Sequence, residues 1–399
     1  MFRGKFCAFL VLLSISAGSG RAEFQVNSYT SHSQTHPAVA VNEAGDFVVA
    51  WRSNAGDGRG GGVYARCFDA DGAPTSEELN VNVSQTDVDN WTPAVAISPG
   101  GDFVVIWVAV SDGSCDLLGR MFDSQGQAIT GEFQVNESTS KAGQSMPCIA
   151  MDSTGRFAVA WTDWSGGCYT GKSNVVGRIF EPDGTPSSGD FVISDNTNAN
   201  WPDIDMDDAG RFVVTWIRMG DTYNRPYGEY IMFRRYEADG TPAGKAVQVT
   251  GDLNSRWYGP SVAVDDSGEF AITWALGPFP YDIVAQHFNS EGAAATEPYM
   301  VNTRRDNNQG HPRIAGDGQG AYLIVWDSQN QDGSCIGVYG QRCNRDGELI
   351  GTEFRINTYV QDRQWYPDVA AAGDKYVVVW TSENQDGSGY GIFGNLVTK

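Results

Sequence analysis

Two histidines and a tyrosine stand at one repeated position of this 399-residue chain. His36, His311 and Tyr366 each come immediately before a proline, and Arg363 lies three residues before Tyr366. Imidazole and phenol groups act as general acids and bases, and histidine is also the commonest metal ligand. If the three prolines are equivalent in the fold, these side chains flank one opening. His36, His311, Tyr366 and Arg363 are therefore the candidates for acid–base or metal chemistry.

Aromatic side chains form a second set of candidates, for binding rather than reaction. Five tryptophans stand outside the repeated pattern described below, namely Trp91, Trp164, Trp201, Trp257 and Trp365. Arg256 and Tyr258 flank Trp257, and Arg363 lies two residues before Trp365. Aromatic rings with arginines are typical of surfaces that stack on sugar rings or anchor a protein partner. The sequence predicts that these eight residues contribute to a ligand-binding surface.

Aspartates that precede glycine give a candidate metal site in the loops, at Asp57, Asp112, Asp332 and Asp386. Oxygen-rich loops can hold calcium, so these four carboxylates are candidate ligands. The alternative is structural, because Asp-Gly is also a strong hairpin-turn signal. The spaced aspartates and distal glutamate of a calcium-binding loop are missing, and no cysteine or histidine spacing suggests zinc. We expect no cofactor, with calcium as the alternative.

A segment that occurs seven times must position all these residues. In each copy a proline is followed by a tryptophan 14 residues later, or 13 in the last copy, and successive prolines lie 52 to 58 residues apart. The pairs are Pro37/Trp51, Pro93/Trp107, Pro147/Trp161, Pro202/Trp216, Pro260/Trp274, Pro312/Trp326 and Pro367/Trp380. A fixed period of this size is typical of repeat architectures.

Each copy contains four short alternating segments separated by turn residues, which predicts four strands. We therefore predict an all-β fold, a seven-bladed β-propeller with four-stranded blades. The last copy ends after its third strand, and residues 23–27, EFQVN, repeat the fourth-strand sequence found at 132–136. The N-terminal strand is expected to pair with the last blade and close the ring, which removes exposed strand edges.

The repeated side chains are interpreted as scaffold. Seven equivalent tryptophans are expected between blades, and the recurring Arg66, Arg120, Arg178 and Arg234 are expected to make structural ion pairs or hydrogen bonds. The loops between fourth and first strands, and between second and third strands, vary most and lie on one face. Variable loops on a regular scaffold usually carry binding sites.

Charged residues on the first strands are also expected near the ring axis, at Asp203, Asp205, Arg313 and Asp368. Arg313 and Asp368 come from neighbouring copies at matching positions and are predicted to pair. Asp203 and Asp205 are not expected to form a catalytic pair.

The N-terminus and the composition limit location and partners. Residues 1–22 combine Arg3 and Lys5 with an apolar run and small residues, which predicts a signal peptide followed by a single propeller domain over 23–399. We expect a secreted, periplasmic or cell-surface protein without a transmembrane segment. A net charge of −22 argues against nucleic acid as a partner. Six cysteines remain after the signal, and Cys335 with Cys343 is the simplest local disulfide pair.

The repeat F-Q-V-N, P-x-V-A, G-D-F-V-V-x-W and G-x-Y-G-Q-R resembles the propeller repeats of exported bacterial proteins, which often belong to larger adhesin-like chains. The resemblance covers essentially all of 23–399 and implies the fold and export. It does not imply a function, because propellers serve as binding modules and as enzymes.

Two functions from different classes follow. We expect a non-catalytic recognition propeller that binds a glycan or an extracellular protein through its aromatic-rich loop face. The alternative is a secreted carbohydrate-active enzyme, a polysaccharide lyase or glycoside hydrolase, whose axial site contains His36, His311, Tyr366 and Arg363. A third reading is a purely structural unit of a cell-surface assembly.

Overall fold

A computed structural model describes residues 23–54, 61–84, 91–111, 113–137, 143–168, 170–195, 198–219, 229–251 and 258–399. The predicted signal peptide, residues 1–22, lies outside this part of the chain. Within it the secondary structure consists of 28 β-strands. No helix that could cross a membrane occurs among the described residues.

The strands fall into four sets, one set for each position in the repeated unit. The first strands are β2 (Gln34–Val41), β6 (Trp91–Ile97), β10 (Gly143–Met151), β14 (Ala199–Met206), β18 (Ser261–Val264), β22 (Gln309–Gly316) and β26 (Gln364–Ala372). The second strands are β3 (Phe47–Ser53), β7 (Phe103–Ser111), β11 (Phe157–Trp164), β15 (Phe212–Met219), β19 (Phe270–Leu276), β23 (Ala321–Gln329) and β27 (Lys375–Glu383).

The outer strands complete each unit. The third strands are β4 (Gly62–Phe68), β8 (Ser114–Phe122), β12 (Ser173–Phe180), β16 (Glu229–Tyr236), β20 (Asp282–Phe288), β24 (Ile336–Asn344) and β28 (Tyr390–Thr398). The fourth strands are β1 (Phe24–Gln25), β5 (Leu79–Asn80), β9 (Phe133–Gln134), β13 (Phe191–Val192), β17 (Val247–Gln248), β21 (Tyr299–Met300) and β25 (Leu349–Arg355).

The fold is an all-β propeller, but the prediction of seven separate four-stranded blades is wrong. The structure has five four-stranded sheets, β2 to β5, β14 to β17, β18 to β21, β22 to β25, and β26 to β28 with β1. The second and third repeats instead share one eight-stranded sheet. They join where β8 pairs with β10 in parallel, at Cys115 and Gly143.

A disulfide and a glycine explain this joint. Cys115 is bonded to Cys168, which ties the second repeat to the third. A Cβ atom on Gly143 would lie 2.4 Å from the backbone of Cys168. Only glycine therefore allows the start of β10 to lie this close to the disulfide-bonded Cys168. The predicted pair Cys335 and Cys343 is not formed, and both of these cysteines are free thiols.

The two ends of the chain meet in one sheet, as the sequence predicts. β1 pairs with β28 in register Phe24 to Gly394, and the Asn27 side chain accepts the amide of Ile392 at 2.7 Å. Each first strand also contacts the first strand of the next repeat, and β26 contacts β2. The innermost strands therefore form a closed ring around the axis.

The repeated residues hold neighbouring repeats together, which confirms that they are scaffold. All seven repeated tryptophans are at most 2% exposed. Trp51 packs with Val26 and Val377, in a cluster shared by the first repeat and the last. The repeated arginines reach back to the preceding unit; Arg66, for example, donates to the Val26 carbonyl at 3.0 Å.

Ring closure gives a test of stability. Val26 is fully buried directly after the closing strand β1, where its amide donates to the Ile392 carbonyl, whereas Val192, in the fourth strand of the third repeat, is 59% exposed. We expect Val26→Ala to lower the free energy of unfolding by about 2 kcal/mol, because buried methyl groups are lost and a cavity remains. Val192→Ala should change it by less than about 0.5 kcal/mol. Urea unfolding measures both, and equal effects would contradict the docking of β1.

Candidate functional site

In six of the seven repeats the residue before the repeated proline has an unusual backbone conformation. It lies in the left-handed region in six repeats, with φ of 55° at His36, 39° at Thr92, 51° at Met146, 53° at Trp201, 46° at His311 and 51° at Tyr366. The first strand slips in register at each of these places. A positive φ is strained for these residue types. A bulge of this kind redirects a side chain, which is why bulges are common near functional sites.

Three of the redirected side chains pack together across the first, sixth and seventh repeats. The ring of His36 stacks on Tyr366 with centroids 4.6 Å apart, and His311 meets the same tyrosine edge-on at 4.3 Å. Tyr258 also meets His311 edge-on, with centroids 4.7 Å apart. We call His36, Tyr366, His311 and Tyr258 the axial cluster. Three of the four residues proposed for acid–base chemistry thus lie together.

Asp327 fixes the orientation of His311. The Nδ1 atom of His311 lies 2.6 Å from the Asp327 carboxylate, which can only accept, so Nδ1 carries the proton. This leaves Nε2 of His311 as the basic nitrogen. A Cβ on Gly310, which pairs with Asp327, would lie 2.9 Å from both the Asp327 carboxylate and the Tyr258 ring. Glycine at 310 therefore makes room for the contact.

His36 is the uncharged member of the cluster. Burial, with smaller contributions from Arg52 and His311, lowers the pKa of His36 to about 4. Its backbone amide donates to the Thr381 hydroxyl at 3.2 Å, and its Nδ1 atom has no hydrogen-bond partner among the described residues. Burial also raises the pKa of Tyr366. At neutral pH the cluster therefore combines a neutral imidazole with a protonated phenol.

Arg363 does not reach the two histidines. Its guanidinium lies over the ring of Trp365 at 5.6 Å, with its Nε 3.9 Å from the Glu383 carboxylate. Trp365 in turn lies 4.8 Å from Tyr366 and 5.9 Å from Tyr390. The proposed catalytic role of Arg363 thus lacks a direct contact with the axial cluster, and its position is that of a flanking residue.

The remaining residues of the predicted binding surface are divided. Tyr258 belongs to the axial cluster, and Trp365 borders it through Tyr366. Trp164 donates from Nε1 to Ser145 at 2.7 Å, and Trp201 packs on the core between the fourth and fifth repeats. Arg256, Trp257 and the side chain of Trp91 lie outside the described residues. The structure therefore brings two of the eight predicted residues to the cluster, with Arg363 beside Trp365.

Carboxylates on the first strands link neighbouring repeats through hydrogen bonds. Asp203 and Asp205 accept the amides of Val262 and Val264 at 2.9 and 2.7 Å, and Asp368 accepts that of Val39 at 2.9 Å. The predicted pair of Arg313 and Asp368 is confirmed, at 3.7 Å. Burial raises the pKa of Asp205 to about 7 and that of Asp368 to about 6. Each of the three carboxylates accepts a backbone amide from the next repeat around the ring.

The loop aspartates proposed for calcium close their own turns. Asp332 accepts the amide of Ser334 at 3.0 Å and Asp386 that of Ser388 at 3.2 Å, while Asp57 and Asp112 lie outside the described residues. The structure groups no three histidine, cysteine, aspartate or glutamate side chains as metal ligands within its described ranges.

Comparison with known proteins identifies the fold. No family model matches the chain, and no curated protein sequence matches it. An ulvan lyase from a polysaccharide lyase family superposes with a TM-score of 0.60 at 11% identity, covering 94% of both chains. A protein of unknown function from Dyadobacter fermentans gives 0.56 at 10%, covering 94% of this chain and 97% of its own. A second polysaccharide lyase gives 0.54 at 10%, covering 90% of both. At such identities the likeness shows the propeller fold alone.

The ionisation of Asp205 makes a testable contribution to stability. Its pKa of about 7 lies above the value of about 3.9 for an unfolded chain, so the folded state binds more protons between these pH values. Asp205 therefore lowers stability progressively as pH rises from about 4 to 7. We expect Asp205→Asn to stabilise the fold by roughly 1–3 kcal/mol at pH 8 and to have little effect at pH 4.

The measurement is urea unfolding at both pH values. Asp208→Asn is the control, because Asp208 is exposed in the turn that follows the same strand. If Asp205→Asn changed the free energy of unfolding by the same amount at both pH values, the raised pKa of Asp205 would be contradicted.

Proposed function

We propose that this chain is a carbohydrate-active propeller that cleaves an acidic polysaccharide by β-elimination at the axial cluster. The observation that carries the proposal is the contact of His311 with Asp327 at 2.6 Å, beside the phenol of Tyr366. The two polysaccharide lyases of the same fold support it by analogy.

The reaction needs one base and one acid. The base removes the proton from the sugar carbon that carries the carboxylate. The electron pair forms a carbon–carbon double bond, the bond from the β-carbon to the glycosidic oxygen breaks, and the acid protonates the leaving oxygen. The step consumes no water and requires a cation near the substrate carboxylate, where negative charge develops.

In this proposal the axial cluster supplies the base and the acid, and Arg52 near His36 supplies the cation. His311 presents Nε2 as the base because Asp327 occupies Nδ1. Tyr366 is the acid, since its raised pKa keeps the phenol protonated. Arg52 lies near enough to His36 to help lower its pKa, and we assign Arg52 to the substrate carboxylate. Charges elsewhere in this acidic chain are screened beyond about 8 Å at physiological salt.

Hydrolysis fits these residues less well. Glycoside hydrolases use two carboxyl groups that flank the scissile bond. Here Asp327 is engaged by His311, and Asp203, Asp205 and Asp368 accept backbone amides from neighbouring repeats. Asp327 therefore positions His311, and the other three carboxylates link neighbouring repeats of the ring.

Recognition without cleavage is the second candidate function. It is favoured by the aromatic group of Trp365, Tyr366 and Tyr390, which carries Arg363 on its edge. Such a group can stack on a sugar or anchor a protein partner without any chemistry.

Turnover distinguishes the two candidates. The chain is incubated with ulvan, alginate, polygalacturonate and hyaluronan, and the ultraviolet absorbance of the unsaturated product is followed together with the reducing ends. We expect both signals to rise with at least one substrate. Tyr366→Phe and His311→Asn should each lower kcat by about 10² or more, because they remove the acid or the base.

The control is His32→Asn. His32 is exposed and has a φ of 65°, so it is left-handed like His311. The control therefore makes the same histidine-to-asparagine change at the same kind of backbone position, away from the axial cluster. His32→Asn should keep full activity. Tight binding without product would overturn the lyase proposal and support recognition, whereas reducing ends without ultraviolet absorbance would indicate hydrolysis.

Asp327 gives an independent test as a positioning residue. Asp327→Asn no longer enforces a proton on Nδ1, so we expect kcat to fall by about 10² or more while KM changes little. Asp327→Glu should restore part of kcat. If both variants lose activity only in proportion to lost folded protein, measured by circular dichroism, Asp327 is structural.

A further inference from the structure

A row of aromatic side chains leads away from the axial cluster into the fifth repeat. Tyr258, which touches His311, lies 5.6 Å from Tyr281, and Tyr281 lies 6.2 Å from Phe279. All these contacts are edge-on, with interplanar angles of 78° to 84°. The row is therefore continuous from the proposed base to the loop between β19 and β20.

Phe279 at the end of this row is exposed. Its ring is 72% accessible, the highest value among the large hydrophobic side chains that the structure describes. An isolated exposed phenylalanine would need no explanation. This one continues a line of partly buried rings whose inner end is the candidate site, so its exposure provides a stacking face at the outer end of that line.

The opposite side of the cluster also carries aromatic rings. Tyr366 leads to Trp365 at 4.8 Å and then to Tyr390 at 5.9 Å. Aromatic side chains thus flank the cluster towards the fifth repeat and within the seventh. An arrangement of this kind suits a long ligand that extends past the reactive groups in both directions.

Charges beside the row are paired. Asp282, next to Tyr281, contacts Arg305 at 2.9 Å, and Arg304 contacts Asp306 at 3.0 Å. These pairs leave ring stacking as the main contribution that Phe279 and Tyr281 can make. Stacking on the apolar face of a sugar ring needs no charge.

We infer that Phe279 and Tyr281 form a distal stacking subsite for a sugar residue of the polysaccharide that occupies the axial cluster. The inference rests on the proposed function and extends it: the polysaccharide lies across the cluster along the aromatic row and is cut at internal bonds. Affinity should then depend on the length of the ligand, because short oligosaccharides cannot reach Phe279 from the cluster.

The test compares Phe279→Ala with the unmodified chain on a length series of oligosaccharides from the polysaccharide that is cleaved. We expect a loss of about 3- to 10-fold in kcat/KM for the long oligosaccharides, the size of one ring contact, and no change for the shortest cleaved one. Phe279→Tyr should retain wild-type values. Ile129→Ala is the control, since Ile129 is 53% exposed in the second repeat.

Binding is measured separately by calorimetry in the His311→Asn background, with oligosaccharides from ulvan if nothing is cleaved. A loss of affinity confined to long oligosaccharides in Phe279→Ala would support the subsite even without turnover. Equal values for Phe279→Ala and the parent at every length would overturn the subsite while leaving the lyase proposal intact. Absence of turnover by the unmodified chain would overturn the lyase proposal on its own.

Discussion

Burial of one tryptophan per repeat against the neighbouring repeat is the interaction on which the structure depends. Because Trp51 packs with Val26 and Val377, the two ends of the chain share one apolar cluster and the ring has no free blade edge there. Closure then fixes the distance between consecutive inner strands. Side chains such as Asp203 and Asp368 can reach the next strand's amides only because that spacing is held constant.

The same constraint allows strain at the candidate site. A left-handed residue before a proline is unfavourable in an isolated strand, yet His36, His311 and Tyr366 adopt it within a ring that fixes both ends of each bulge. The bulge moves the side chain out of the regular alternation. Neighbouring repeats then bring redirected side chains within stacking distance, so the scaffold creates the site at the place where its own geometry is least regular.

The sequence predicts the features that recur. Comparison of the seven repeats with one another is enough to identify the buried tryptophans and the scaffold arginines. It also predicts the pairing of 23–27 with the last repeat. Features that occur once escape this comparison. Asp327 directly follows a scaffold tryptophan, and it is the only aspartate at that position among the seven copies. Its contact with His311 depends on strand pairing, which a comparison of copies does not give. The joint at Gly143 was missed because periodicity carries no information on pairing between repeats, and Cys335 with Cys343 was chosen for proximity in sequence alone.

The two histidines of the axial cluster share one tyrosine but differ in what lies behind them. Burial and Arg52 keep His36 neutral, so it cannot balance a substrate carboxylate at neutral pH, and its low pKa makes it a weak base. His311 instead has a carboxylate on Nδ1 and its second nitrogen unoccupied by that contact. In the proposed elimination this asymmetry would give the proton transfer a direction: His311 would accept the proton, Tyr366 would donate one, and the positive charge would come from Arg52 rather than from an imidazolium.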